Sequence, residues 1–385
     1  MRFSAVVEFL KDMGHQPVVL QGREGRRQVV CAPSLVGRVM TSTLNGSRGD
    51  ALGRVGVNAI RKGPVDPVFN DFGGEERFWF GPEGSQFGLH FTSTDQTLAN
   101  YRVQAGMSCQ PYEILSAPTE LGFVTMHSRM ELINCFGTHF EVDVLRTVTI
   151  LEYCPYTLGY SDRLDFVGFQ SESLITNVGD KPIAWETGVL SAWTIGQQPN
   201  GRRCAIVLPF QIGSDAELGE LIRRDYIAHL CPGGHLPANR WRVGNDHVLI
   251  RTDGECRMKI GVGKRRARDR FGSIDLDECH LIINDFGFYR EMEYVAPYWR
   301  NLSPRELVDG EAISVYVDGP DETGQPGGDF YELETLSPAL CLLPKESFTH
   351  RNRVFHVRGE LPMIGAVCQK FLGASLREVD QFLRG

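Results

Sequence analysis

From residue 139 to 153 the chain alternates in a way that only a strand can use. Phe140, Val142, Val144, Val148 and Ile150 fall on one face together with Arg146, and Glu141, Asp143, Thr147 and Thr149 fall on the other. A helix would scatter these apolar residues around its circumference, whereas a pleated strand gathers them on one side. Residues 125–134 precede this strand across a turn at Cys135-Phe-Gly-Thr138, so the two segments read as a pair. Comparable strand signals recur along the chain. Residues 29–43 form a β-branched run broken by Pro33 and Gly37, and 77–83 and 87–92 flank a Gly-Pro turn. Further strands are expected at 163–177, 183–196, 203–212, 247–252, 256–263, 279–289, 311–318, 329–343 and 354–358.

Helical signals are few. Ser4 can cap a helix over 5–13 that stops at Gly14, and Ser214 can cap one from 215 to about 230. Ser375 and Glu378 form a capping box before 379–384, within a C-terminal helical segment of about 362–384. Many strands with Gly, Pro, Asn and Asp turns, and little helix, imply an all-β fold, a large antiparallel β-sandwich. With no repeat, low-complexity tract or clear linker, residues 1–385 are expected to form a single domain with the terminal helices packed on it.

Composition narrows the function classes. A hydrophobic fraction of 42% supplies a substantial core, and a net charge of −8 argues against nucleic acid as a partner. The basic run Lys264-Arg-Arg-Ala-Arg-Asp-Arg270 is short and interrupted by Asp269; it reads as a solvated loop or strand end, with an anion contact as the alternative. Ten cysteines are scattered singly, so no Cys-x-x-Cys zinc or redox motif exists. The N-terminal residues lack an uninterrupted apolar stretch, and no segment reaches 18 apolar residues. A cytoplasmic protein without a membrane partner is the expectation, and nothing fixes an oligomeric state.

The chemistry-bearing stretch runs from Asp329 to His350. Glu332 and Glu334 stand two apart on one predicted strand face, roughly 7 Å from each other, and His350 follows on what could be the next strand. Paired carboxylates with an imidazole can polarise hydroxyls or move protons, which makes a sugar the first ligand to consider. A solvated edge-strand face would explain the same spacing. A second stretch places Arg77 and Trp79 on one strand face after Gly73-Gly74, with Glu83 beyond a turn. A guanidinium fork beside an indole suits a sugar's hydroxyls and C–H face, although an internal ion pair with a core tryptophan would use the same residues. Trp193, Glu186, Trp299 and Arg146 complete the binding candidates. Trp185 and Trp193 equally suit a core hairpin. The strand histidines, among them His127, His139, His350 and His356, have no metal-ligand spacing, and Gly261-x-Gly263 opens no helix, so no metal, nucleotide or other cofactor is called for.

With these segments together, the chain resembles the galactose mutarotase-like "supersandwich" proteins, as a bacterial branch related to the aldose 1-epimerases. The resemblance covers roughly residues 8–380. It is carried by Pro33–Thr43, Phe78-Trp-Phe-Gly-Pro-Glu-Gly84, Asn134-Cys-Phe-Gly-Thr138, Trp185–Trp193 and Tyr331-Glu-Leu-Glu-Thr-Leu-Ser-Pro338. It implies a sugar-binding concave face. It also implies ring opening by one Glu, which takes the anomeric hydroxyl proton, and one His, which protonates the ring oxygen, with no cofactor. Glu334, or Glu332 beside it, matches the position of that base. The family's Asn-Arg pair is only approximated by Val57-Asn-Ala-Ile-Arg61. Its two histidine positions are not matched, since Asp71-Phe72 precede Gly73-Gly74 and Val178 follows Thr176-Asn177. His350 or His127 would then be the replacement acid. An epimerase-type enzyme and a non-catalytic carbohydrate-binding or sensing module are the two competing functions.

Overall fold

The computed structural model describes residues 1–64, 66, 69–157, 159–160, 163–224, 236–321, 324–325 and 327–385. Its strands assemble into three antiparallel sheets. The largest has ten strands, ordered Trp241–Val243 (β11), His247–Arg251 (β12), Cys204–Pro209 (β10), Arg270–Asp275 (β14), His280–Phe286 (β15), Ser347–Gly359 (β18), Leu164–Asn177 (β8), His139–Ile150 (β7), Phe123–Ile133 (β6) and Glu113–Ser116 (β5). A five-stranded sheet runs Met258–Gly263 (β13), Glu311–Val317 (β16), Phe330–Leu336 (β17), Ser191–Pro199 (β9) and Arg77–Gly81 (β4). Val18–Gln21 (β1), Gln28–Ala32 (β2) and Arg38–Thr43 (β3) make the third sheet, which meets the start of β4 through a backbone pair between Val39 and Glu76.

The alternation of β7 dictates how the layers stack. Its register on β6 sets Val142 opposite Met130, Val144 opposite Ser128 and Val148 opposite Val124. The shared apolar face packs against Phe78, Phe80, Val315 and Leu333 of the five-stranded sheet in one continuous core. Residues of opposite parity, such as Val207, Leu249, Ile283 and Val357, leave the other face of the large sheet. Helices Leu361–Leu372 and Leu376–Arg384 cover them with Ile364, Val367, Val379 and Phe382. Ser375 and Glu378 form the expected capping box. Helix Phe3–Asp12 lays Phe3, Val6 and Leu10 on Val30, Ala32 and Met40 of the small sheet.

Several boundaries differ from the sequence pattern. The 29–43 run folds back on itself through a 3-10 turn at Pro33–Leu35, followed by Val36 and Gly37 in left-handed conformations. Residues 87–90 pair with no strand, and β9 starts only at Ser191 because Ala184 bridges Gly188 in a tight turn. Ser4 sits inside the first helix, whose N-cap is Arg2. The helix after Ser214 ends at Leu218, where Gly219 turns left-handed at φ 74°; residues 225–230 of that expectation lie outside the described residues. The basic run bends into β14 and is consumed internally. Lys264 bonds Glu293 (2.8 Å), Arg266 bonds Asp215 (2.6 Å) and Arg270 bonds Asp269 (3.0 Å). No helix among the described residues is long and apolar enough to cross a membrane.

The sandwich interior also holds charge. Arg146 is fully buried and bonds Glu76, Ser173 Oγ (3.1 Å) and the Gly37 carbonyl (3.1 Å), while Asn352 donates to the other oxygen of Glu76. Beside it, His356 Nε2 lies 3.1 Å from Glu75 Oε2, and Glu75 Oε1 accepts from the Ser42 amide (2.6 Å). Buried charges persist only when paired in this manner.

Candidate functional site

Cross-strand partners share a sheet face, so the register of the five-stranded sheet selects the site. Trp79 opposes Trp193, Arg77 opposes Ile195, Glu332 opposes both Gln197 and Tyr316, Glu334 opposes Ile195 and Ser314, and Tyr316 opposes Lys259. All of these leave the face turned away from the sandwich core, because Phe78, Phe80, Leu333 and Val315 between them fill the core side. A cleft of about 370 Å³ opens on this outer face. Arg77, Glu332, Trp79 and Trp193 line it from the sheet. Glu83, Tyr101 and Trp299 come from loops, and Phe69, Phe330 and Asp318 complete the walls.

Its polar groups are interlocked. Arg77 Nη2 donates to Glu332 Oε1 (2.9 Å), which also accepts from Gln197 Nε2 (3.0 Å). The guanidinium lies 4.4 Å from the Trp79 ring and 5.4 Å from the Phe69 ring. Among the described residues, its buried Nε and Nη1 have no hydrogen-bond partner. Lys259 Nζ is 3.3 Å from Glu83 Oε2, 3.3 Å from Glu334 Oε2 and 4.6 Å from the Trp193 ring centre. The Trp193 indole donates to Glu334 Oε2 (2.9 Å), and the Tyr101 hydroxyl donates to Glu83 Oε1 (3.3 Å). Asp71 is held bidentately by Arg54, and Tyr316 donates to Asp318 (2.7 Å).

Electrostatics single out Glu334. Burial pushes its carboxyl up to about 7; Lys259 pulls it down, while Glu332 and Glu83 push it further up. The Tyr101 hydroxyl is raised well above its usual value, first by burial and then by Glu83.

The sequence candidates divide cleanly. Arg77, Trp79, Glu83, Trp193, Trp299 and Glu332 line the cleft, and Glu334 sits immediately behind Lys259 and Trp193 in a small adjoining hollow. His350 does not join them. It hangs from β18 in the large sheet and meets Thr335 (3.3 Å), which points to the opposite face of β17 from Glu334; burial lowers its imidazole to about 3. His127 lies on the outer side of β6, 3.6 Å from Asp143. Arg146 belongs to the core network, and Glu186 is exposed in the 184–188 turn. Sequence reasoning missed Lys259, Tyr101, Tyr316 and Asp318. The signal for Lys259 was present, since Arg257, Lys259, Gly261 and Gly263 alternate with Met258, Ile260 and Val262. Among the described residues, no three His, Cys, Asp or Glu side chains form a group that could hold a metal ion.

These layers and this cleft define an antiparallel β-sandwich with an aromatic, charge-paired cleft on the outer face of its five-stranded sheet. The chain belongs to the Family of unknown function (DUF6786), whose model matches residues 1–383. A search of curated proteins finds no match. Among solved structures, the fold is similar to that of the Slr1438 protein from Synechocystis sp. PCC 6803. The identity is 12%, over 90% of this chain and 96% of that one, with a TM-score of 0.50. It is similar to the same degree to an Escherichia coli K12 protein assigned as an aldose 1-epimerase: 12% identity over 90% of this chain and all (100%) of that one, with a TM-score of 0.51. At that identity the likeness is one of fold.

Proposed function

We propose that the cleft binds a carbohydrate and carries out acid–base chemistry of the epimerase type on it. The observation that carries the reading is the Arg77–Glu332 pair at the cleft floor, on the same sheet face as Trp79 and Trp193. Indole faces stack on a sugar's C–H surfaces, while a guanidinium and a carboxylate side by side bond adjacent hydroxyls. The fold shared with the Escherichia coli protein assigned as an aldose 1-epimerase supports the same ligand class.

In such a reaction the anomeric hydroxyl loses its proton to a base. Its electron pair forms the C1 carbonyl, and the C1–ring oxygen bond breaks as an acid protonates that oxygen; reclosure on the other face reverses each transfer. Glu332 and Glu83, which line the cleft, and Glu334 in the hollow beside them are the proton-transfer groups of this reading. A carboxyl near 7 is well matched to work at neutral pH. Neither His350 nor His127 is placed to serve as the acid, so that role falls to the carboxyl groups of the cleft.

One observation favours the second reading, a binding module without turnover: Glu332 is bonded to Arg77 and Glu334 faces Lys259, so each carboxylate already has a cation. Proton NMR of sugar anomers in the presence of the protein separates the two. Accelerated anomer exchange that disappears in Glu334→Gln, with binding retained, supports the enzyme; saturable binding without exchange supports the module; no binding to any sugar refutes both.

A further inference from the structure

At the cleft wall, two buried carboxyl groups share one cation. Glu83 Oε2 and Glu334 Oε2 each lie 3.3 Å from Lys259 Nζ, and all three side chains are almost wholly enclosed. Two carboxylates and one ammonium leave a buried net negative charge, which a low-dielectric setting disfavours; one bound proton removes it. The hydrogen bonds say where that proton sits. Glu83 has a donor on each oxygen, Tyr101 on Oε1 and Lys259 on Oε2. Among the described residues, Glu334 has its donors, Trp193 and Lys259, on Oε2, and its buried Oε1 has no partner. Only Glu83 of the two lines the cleft.

We propose that Lys259 is a positioning residue that joins Glu334 and Glu83 into one acid–base unit, with Glu334 holding a proton and Glu83 presenting the accepting carboxylate to the ligand. The proposal rests on the acid–base reading of the cleft and adds to it a residue and a division of roles. Among the described residues, the other charged and titratable groups facing the unit leave the count unchanged. Glu332 is matched by Arg77. Glu311 on β16 is bonded by Tyr298 (2.9 Å) and faces Arg223 (3.9 Å). His90, stacked on Tyr101, is held below its usual value by burial and keeps Nε2 on the Phe80 carbonyl. The unit moves protons only: Glu83 takes one from a ligand hydroxyl while Glu334 gives up its own toward the ring oxygen, so that one carboxyl stays ionised beside Lys259, and reclosure reverses both transfers.

The test needs no sugar, so its failure is distinct from failure of the carbohydrate reading. Carboxyl-carbon NMR of ligand-free protein labelled with ¹³C-glutamate should show one carboxyl titrating near neutrality that is absent from Glu334→Gln. Glu83→Gln removes a repelling charge and should move that titration down by about 1 pH unit or more, whereas Lys259→Met removes the attracting charge and should move it up. If Lys259→Met does not fold, Glu83→Gln alone decides. A Glu334 signal that titrates below about pH 5, in the ordinary carboxyl range, or that ignores Glu83→Gln, overturns the proposal.

Discussion

Replacing Arg146 by Met tests whether the sandwich core, and not the cleft, is where this arginine acts. The guanidinium is fully enclosed and bonds Glu76, Ser173 and Gly37. Met fills much of the same volume but brings no charge, leaving Glu76 with Asn352 as its remaining donor. Removing one partner of a buried ion pair costs about 3–5 kcal/mol because the other charge stays buried and uncompensated. Urea unfolding followed by fluorescence of the five tryptophans reads the cost as a shift in midpoint at constant slope. The double variant Arg146→Met/Glu76→Gln should recover at least half of the loss, since no orphaned charge remains. A loss below about 1 kcal/mol, the value of an exposed pair, would mean that the guanidinium is not sealed in the core and would make Arg146 a candidate ligand contact again.

Other consequences follow from the same geometry. Glu334 has a folded-state carboxyl raised from 4.5 to about 7, so its contribution to stability is complete below 4.5 and is lost as pH rises to 7. Glu334→Gln should therefore flatten the unfolding free energy over that window by ~3 kcal/mol at most; an unchanged slope contradicts the burial argument. Trp299→Ala, on the rim against Phe91 and Tyr101, should weaken sugar binding about tenfold (~1.4 kcal/mol) by calorimetry; unchanged affinity would remove Trp299 from the site. His127→Ala, remote on the outer side of β6, should leave binding intact and shift stability by no more than about 0.5 kcal/mol.

Much of the layer structure was legible because burial on one side of a sheet imposes a period of two. The alternation at 139–150 became β7 with its apolar set facing the core, and the pair Glu332 and Glu334 does share a face with the cleft side chains. What the pattern could not supply was lateral order. β9 lies between β17 and β4, which is what carries Trp193 to Trp79 and sets Arg77 near Glu332 across a separation of 255 residues. His350 follows Glu334 closely in sequence, yet its strand crosses to the other sheet and reaches only the back of β17. Arg146 on an otherwise apolar stripe resembled a ligand contact because Glu76, its partner, lies 70 residues away. The strand Arg270–Asp275 was hidden by the basic run before it, whose charges are spent on tying down neighbouring loops.

The proposed role of this cleft is to take a sugar and exchange its protons. Proton NMR on a panel of aldoses, uronic acids and sugar phosphates measures binding by saturation transfer and turnover by exchange between anomeric signals in a single experiment. The expected result is saturable binding of at least one sugar, lost in Arg77→Ala, with anomer exchange that vanishes in Glu334→Gln. Silence across the panel, or exchange that survives in both Glu332→Gln and Glu334→Gln, would contradict it.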